Sequence, residues 1–212
     1  MHPAVVALNI SEAFENFLFG TSLLEWAGVF TGILCVWLAA RNIIWNWPIA
    51  IVSVIIYIFI FFETRLYADM GLQFYFLLMN IYGWYFWSRR RGNASAEQPI
   101  TSMTNHEWLF CAGATVFFTF VLGTLLYRHT DASFPYLDSF CTAVSFVAQI
   151  FLARRAMQNW LIWIFVDLIY IGLYISKGLY PTAMMYALYV YIAARGYLEW
   201  KKIYLEQREQ IN

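Results

Sequence analysis

Residues Leu38 to Trp87 recur without a gap as Phe151 to Trp200, displaced by 113 positions. Identities fall at Ala40/Ala153, Arg41/Arg154, Asn46/Asn159, Trp47/Trp160, Tyr57/Tyr170, Leu66/Leu179, Tyr67/Tyr180, Gly83/Gly196 and Trp87/Trp200. An internal repeat constrains architecture before any local pattern does. Both copies are apolar enough to cross a bilayer. The expectation is therefore a duplicated all-α membrane bundle, the usual architecture of carriers whose ligand sits between two similar halves.

The solvent must be lipid. The chain is 62% hydrophobic and 12% charged, against about 25% charged in an ordinary soluble domain. Its 10 Trp, 15 Tyr and 19 Phe exceed what aromatic belts at the membrane surface require, so some rings are expected to line a cavity. Zero net charge argues against nucleic acid as a partner. Cys35, Cys111 and Cys141 are isolated within apolar runs, which suits small packing residues rather than a disulfide or metal site. The N-terminus has no positive n-region and no cleavage site, so no signal peptide is expected.

A spanning helix needs about 20 mostly apolar residues. Seven stretches qualify, at 22–40, 47–62, 69–87, 107–126, 135–153, 160–176 and 180–199. Pro48 and Pro181 stand near the starts of the second and seventh, where a missing N–H costs little. Ser11 to Phe19 reads as a short interfacial helix with Ser11 as N-cap. The division that follows is 1–20 interfacial, 21–90 first three-helix repeat, 91–132 linker and central helix, 133–202 second three-helix repeat, and 203–212 tail. A three-helix unit ends on the opposite face from its start. The unpaired fourth span returns the second copy to the orientation of the first, giving parallel repeats.

Charge sets the direction. With the N-terminus outside, the inner side holds Arg41, Arg89, Arg90, Arg91, Arg154, Arg155, Arg195, Lys201, Lys202 and Arg208, and the outer side Arg65, Arg128 and Lys177. That asymmetry follows the positive-inside rule, with the C-terminus inside.

Asp167 is the sharpest single residue. It lies midway along the sixth span, where its counterpart is Val54. An ionisable group at that depth costs at least about 2.5 kcal/mol and faces the bundle interior or a watery cavity. At about 100° per residue, Trp160, Trp163, Asp167, Tyr170 and Tyr174 share one stripe. Rings with a carboxylate among them suit a flat cation. Two plainer readings stay open: Asp167 as a structural, hydrogen-bonded acid, and Trp160 as an interface anchor like Trp47. On the third span Gln73, Asn80 and Trp84 form a second stripe, readable as ligand donors or as interhelical glue. Their counterparts Tyr186, Ala193 and Tyr197 are not amides. In the fifth span Thr142, Ser145 and Gln149 likewise replace Val29, Gly32 and Val36. Residues that break the repeat point to ligand rather than scaffold. Ser53 reads as a packing hydroxyl. Asn46-Trp47 and Asn159-Trp160 read as caps and interface anchors, Leu66-Tyr67 and Leu179-Tyr180 as their equivalents outside, and Gly83 and Gly196 as points of close helix approach.

No HExxH, GxSxG or Gly-rich phosphate loop occurs, and His2, His106 and His129 lie outside the predicted spans. No catalytic constellation, cofactor or metal is therefore expected.

The stretch WNWPIAIVSV…RLYADMGLQFYFLLMNIYGWYFW, Trp45 to Trp87, resembles the PnuC-type nicotinamide riboside transporters of bacteria. So does NWLIWIFVDLIYIGLYISKGLYPTAMMYALYVYIAARGYLEW, Asn159 to Trp200, in which Trp160, Trp163 and Asp167 match the family's WxxWxxx[N/D] pattern. The resemblance covers most of the chain. It implies a SWEET-like three-plus-one-plus-three fold, a homotrimer in the inner membrane, and facilitated diffusion of nicotinamide riboside toward NAD biosynthesis, with retention by cytoplasmic phosphorylation. Similar proteins carry thiamine or riboflavin, which leaves another cationic vitamin as an alternative substrate. A pore or a membrane-embedded receptor is the alternative of a different class. On this reading Trp163 and Trp160 wall the pyridinium ring and Asp167 supplies counter-charge. Gln73 and Asn80 bond the carboxamide or ribose. Tyr170, Tyr174 and Tyr186 close the pocket, with Gln149 and Trp84 beside it.

Overall fold

Helix ends in this chain are written in its local chemistry. The computed structural model describes residues 12, 14–15, 20, 22–63, 67–89, 99–129, 134–176 and 180–210. Among them are seven helices: α1 Leu23–Ala40, α2 Asn46–Glu63, α3 Tyr67–Ser88, α4 Asn105–His129, α5 Pro135–Ala153, α6 Asn159–Ser176 and α7 Tyr180–Glu209. Most of the expected interfacial helix at Ser11–Phe19, residues 90–98 of the linker, and Leu66 and Leu179 lie outside the described residues.

A capping box opens α1: Glu25 N–H donates to Ser22 Oγ at 3.2 Å and Ser22 N–H to Glu25 Oε2 at 2.6 Å. Thr104 and Glu107 repeat the device ahead of α4, at 3.3 and 2.8 Å. Each box satisfies two otherwise orphaned donors.

The counterpart helices α1 and α5 stop in the same way. Arg41 and Arg154 are their C-caps, and the next residues, Asn42 and Arg155, are left-handed at φ 56° and 59°. Ile43 N–H donates to Leu38 O and Ala156 N–H to Phe151 O, both at 2.9 Å, the reversal that closes a Schellman turn. Asn46 and Asn159 then tie these turns down, each Nδ2 donating to the carbonyl three residues back at 2.7 Å. A positive φ suits asparagine better than arginine. Arg155 is held there by its surroundings: it is 2% exposed, donates to Asn42 Oδ1 at 2.7 Å, and lies 4.5 Å over the Trp87 ring.

Consecutive helices pack as α1–α2–α3 and as α5–α6–α7, and the two triplets meet where α1 touches α7 and α3 touches α5. The result is a ring of six helices. Among the described residues α4 packs on α5 alone, and Gly123 is its one buried residue, admitted against the Tyr136 ring. The segment before α4 is laced to the second triplet. Thr101 N–H donates to Arg155 O at 2.9 Å and Met157 N–H to Thr101 O at 3.0 Å, while Gln158 bonds Met103 N–H and Ser102 Oγ.

Length and composition suit α1, α2, α4, α5 and α6 to crossing a membrane. The remaining two, α3 and α7, are long enough at 22 and 30 residues but less apolar, since Gln73, Asn80 and closely spaced Tyr and Trp interrupt them. Helix α7 also runs ten residues past the expected span. Its KKIYLEQRE continuation is made of strong helix formers with no Gly or Pro, so the expected tail is largely helical.

The core lies at the end bearing the Arg41 and Arg154 turns, the arginine end. Trp47 meets Trp87 edge-on at 5.3 Å, Trp160 meets Trp200 edge-on at 5.6 Å, and Trp87 lies 5.7 Å from Trp200. Beside the Arg155–Asn42 bond, two indole bonds cross between the triplets here: Trp87 Nε1–H to Ala153 O at 3.1 Å and Trp200 Nε1–H to Ala39 O at 3.2 Å. The expectation that Trp47 and Trp160 anchor at the interface is corrected. Both are 1% exposed, because Gly83 and Gly196 leave room for the rings. A Cβ on Gly83 would overlap the Trp47 benzo edge, and one on Gly196 would lie 2.9 Å from Trp160 Cε2.

Candidate functional site

Inside the six-helix ring, above the tryptophans, is a cavity of about 350 Å³ lined by residues of every helix except α4. That volume falls within the range of small-molecule sites. Most lining positions come in counterpart pairs: Gly32 with Ser145, Val36 with Gln149, Ala39 with Leu152, Trp47 with Trp160, Ala50 with Trp163, Val54 with Asp167, Tyr57 with Tyr170, Gln73 with Tyr186, Phe76 with Tyr189, and Asn80 with Ala193. The cavity therefore straddles the axis that relates the halves.

Sequence stripes and cavity agree on α6. Trp160, Trp163, Asp167 and Tyr170 all line it. Asp167 is 4% exposed, and among the described residues its carboxylate has no hydrogen-bond or ion-pair partner. Among the described residues the lining contains no Lys, Arg or His. A buried, unpaired carboxylate is costly unless a cation joins it.

Aromatic rings continue upward from Asp167. Tyr170 lies 5.0 Å from Tyr186, Tyr186 5.8 Å from Tyr189, and Tyr174 packs behind them at 6.0 Å from Tyr170 and 5.2 Å from Tyr186. Tyr170, Tyr186 and Tyr189 line the cavity and Tyr174 backs it.

The opposite wall is polar. Gln73, Asn80, Thr142, Ser145 and Gln149 all reach the cavity, and Gln149 Nε2 donates to Asn80 Oδ1 at 2.9 Å, joining α5 to α3 across the halves. Ser145 Oγ is occupied by Cys141 O at 2.8 Å. Ser53 lines the cavity while donating to Gly28 O of α1 at 3.3 Å, the packing bond expected of it. Trp84 is not brought in. It is 44% exposed, because the inward line of α3 runs through Gln73, Phe76, Asn80, Gly83 and Trp87, and Trp84 stands beside that line.

Sequence reasoning passed over Tyr57, Phe76 and Tyr189, and it did not place Trp47, Cys35, Asn46 or Ala50 at the cavity. The signal for three of them was in the repeat: shifting Tyr170 and Trp160 by 113 positions lands on Tyr57 and Trp47, and shifting Trp163 lands on Ala50. Among the described residues no cluster of three His, Cys, Asp or Glu side chains could hold a metal ion.

The chain can be set beside known proteins at this point. A family model described as nicotinamide mononucleotide transporter matches residues 22–202. The nicotinamide riboside transporter PnuC of Escherichia coli is 29% identical over 203 residues, covering 84% of this chain and 85% of that protein. The riboflavin/roseoflavin transporter RibM of Streptomyces davaonensis is 26% identical over 195 residues, covering 90% of each. A crystal structure of the vitamin B3 transporter PnuC superposes with a TM-score of 0.71 at 25% identity, over 95% of this chain and 90% of that one.

Proposed function

The chain belongs to the nicotinamide mononucleotide transporter family, of membrane transporters rather than enzymes, and on that footing we propose that its substrate is nicotinamide riboside. The observation that carries this is the charge of the cavity: one unpaired carboxylate, Asp167, with no cationic residue among the described lining residues. Nicotinamide riboside is a flat pyridinium cation with a neutral ribose. The mononucleotide adds a phosphate, and the described lining offers it no Arg, Lys or His to offset its charge beside Asp167. A flavin is neutral and brings no counter-charge to Asp167.

In this reading Trp163 and Trp160 wall the pyridinium and Asp167 faces its charge, a cation among rings being worth about 0.5–2 kcal/mol beyond the ion pair. Gln73, Asn80 and Gln149 serve the carboxamide and ribose hydroxyls. Tyr170, Tyr174 and Tyr186 close the outer end. Residues 21–90 and 133–202 rock against each other, with 91–132 as the link, and present the cavity alternately to each side. The protein sits in the bacterial inner membrane with its N-terminus outside, as the arginine distribution favours. It is a homotrimer, which gives the exposed apolar face of α4 a partner, and cytoplasmic phosphorylation retains the vitamin for NAD synthesis.

Another cationic vitamin, thiamine, satisfies the same carboxylate. Titration of purified protein with nicotinamide riboside, its mononucleotide and thiamine separates the readings: the riboside is expected to bind tightest, and equal or tighter binding of the mononucleotide overturns the proposal. Counterflow in liposomes separates a carrier from a receptor, which moves nothing, and from a pore, which does not saturate.

A further inference from the structure

Two of the cavity's polar residues are already bonded to each other, and what that bond leaves over is specific. Gln149 Nε2 donates to Asn80 Oδ1 at 2.9 Å between two buried side chains. Each amide carries one acceptor oxygen and an NH2 with two hydrogens. With that bond made, Asn80 still has its whole NH2, and Gln149 has its carbonyl and the second hydrogen of Nε2. Turning both amides over exchanges the roles but leaves the same set, donors beside one unengaged carbonyl. Neither atom is among the fully buried polar atoms without a partner, and both side chains line the cavity.

We infer that this amide pair reads the substrate's carboxamide and thereby selects the amide riboside over its carboxylic acid form. The inference rests on the proposed substrate and deepens it. A primary carboxamide offers one acceptor and one donor, the complement of what the pair leaves. A carboxylate offers acceptors alone and so leaves the buried Gln149 carbonyl without the donor a carboxamide would bring. It would also bring a second negative charge into a cavity that already holds Asp167.

Depth supports the assignment. Asn80 lies one turn above Gly83, which receives Trp47, and Asp167 lies two turns above Trp160, the counterpart of Trp47. The amide pair is thus about one turn, ~5 Å, nearer the tryptophan floor than the carboxylate. That offset is of the order of the distance across a pyridinium ring from its charged nitrogen to the carboxamide. The ribose, attached at that nitrogen, is then directed toward Gln73, Tyr170 and Tyr186.

The test uses three ligands on the purified full-length protein: nicotinamide riboside, nicotinic acid riboside, and pyridinium riboside, which keeps cation and ribose but lacks the carboxamide. The wild type is expected to bind the amide form roughly 10- to 100-fold tighter than pyridinium riboside, and the acid form no better than pyridinium riboside. Gln149→Val and Asn80→Ala each install the residue that the fold already holds at the counterpart position, Val36 or Ala193. Both are expected to bind the amide and pyridinium ribosides within about threefold of each other. Wild-type protein that binds the acid or the bare pyridinium as tightly as the amide overturns the inference whether or not the variants fold. Variants that bind pyridinium riboside yet keep the full preference for the amide overturn it as well. If the wild type binds neither the amide nor the bare riboside, the proposed substrate falls and this inference with it.

Discussion

The two halves of the cavity wall share their arginine end and differ above it. At the arginine end they are nearly superimposable in chemistry: Trp47 and Trp160 under Gly83 and Gly196, Asn46 and Asn159 tying left-handed turns, Trp87 and Trp200 each bonded to the opposite half. One and two turns above, the pairs part company. Ala50 faces Trp163 in the repeat, Val54 faces Asp167, Val36 faces Gln149, and Ala193 faces Asn80. The second half supplies the charge and the ring on α6, while the first half leaves space on α2. What a duplicated fold needs for packing was kept twice. What an asymmetric ligand needs occurs once.

Replacing a residue by its own counterpart tests that division, because the fold already tolerates the substitute at an equivalent position. Asp167→Val makes the two halves alike at the charge and is expected to weaken riboside binding most, by about 2–5 kcal/mol, or at least roughly 30-fold. Calorimetric titration against wild type measures it. Retained affinity would show that the carboxylate serves packing and not the cation.

At the shared end the comparison predicts stability rather than binding. Gly83→Ala and Gly196→Ala each push a Cβ into an indole, but the overlap at Trp47 is the more severe. Overpacking of this kind costs about 1–3 kcal/mol, with Gly83→Ala expected at the upper end. Thermal unfolding in detergent should therefore fall further for Gly83→Ala. Equal losses would mean that the two cradles relax alike.

How much of this was legible in the residues follows from the range of each interaction. Apolar runs and the repeat located all seven helices, while the Ser22–Glu25 box that opens α1 was passed over. Asp167 and Gln73 were placed at the cavity because a charged or amide group in an apolar stripe has few other places to face, and Trp163 because it shares the stripe of Asp167. Long-range partners were not legible. A tryptophan at a helix end reads the same whether it turns toward headgroups or under a glycine, and the glycine that decides is 36 residues away, at 83 for Trp47. Trp84 was misplaced for a related reason. Gly83 carries no side chain to mark the inward face, so the wheel was drawn through the neighbouring indole. The Gln149–Asn80 bond joins residues 69 apart, and no local pattern announces it.

The smallest effect expected lies in the bonds that cross between the halves. Trp87→Phe and Trp200→Phe keep a ring and remove one N–H···O bond each, worth about 1 kcal/mol. If these bonds hold the arginine end shut, the double variant should open it more often. Cys35 lines the cavity and reports this directly once Cys111 and Cys141 are replaced by alanine. Its reaction with a membrane-impermeant thiol reagent should rise several-fold from the arginine end and stay unchanged from the other. The single variants should not be equal, although the bonds themselves nearly are. Arg155 lies over Trp87 at 4.5 Å, whereas its counterpart Asn42 brings no charge to Trp200. A phenyl ring attracts a cation less than an indole, so Trp87→Phe also weakens the seat of Arg155 and with it the bond to Asn42. Greater labelling in Trp87→Phe than in Trp200→Phe would place the first opening of the closed end at that arginine. Equal labelling would leave the two indole bonds, without the arginine, as the basis of the effect, and no increase in the double variant would remove them from the closure altogether.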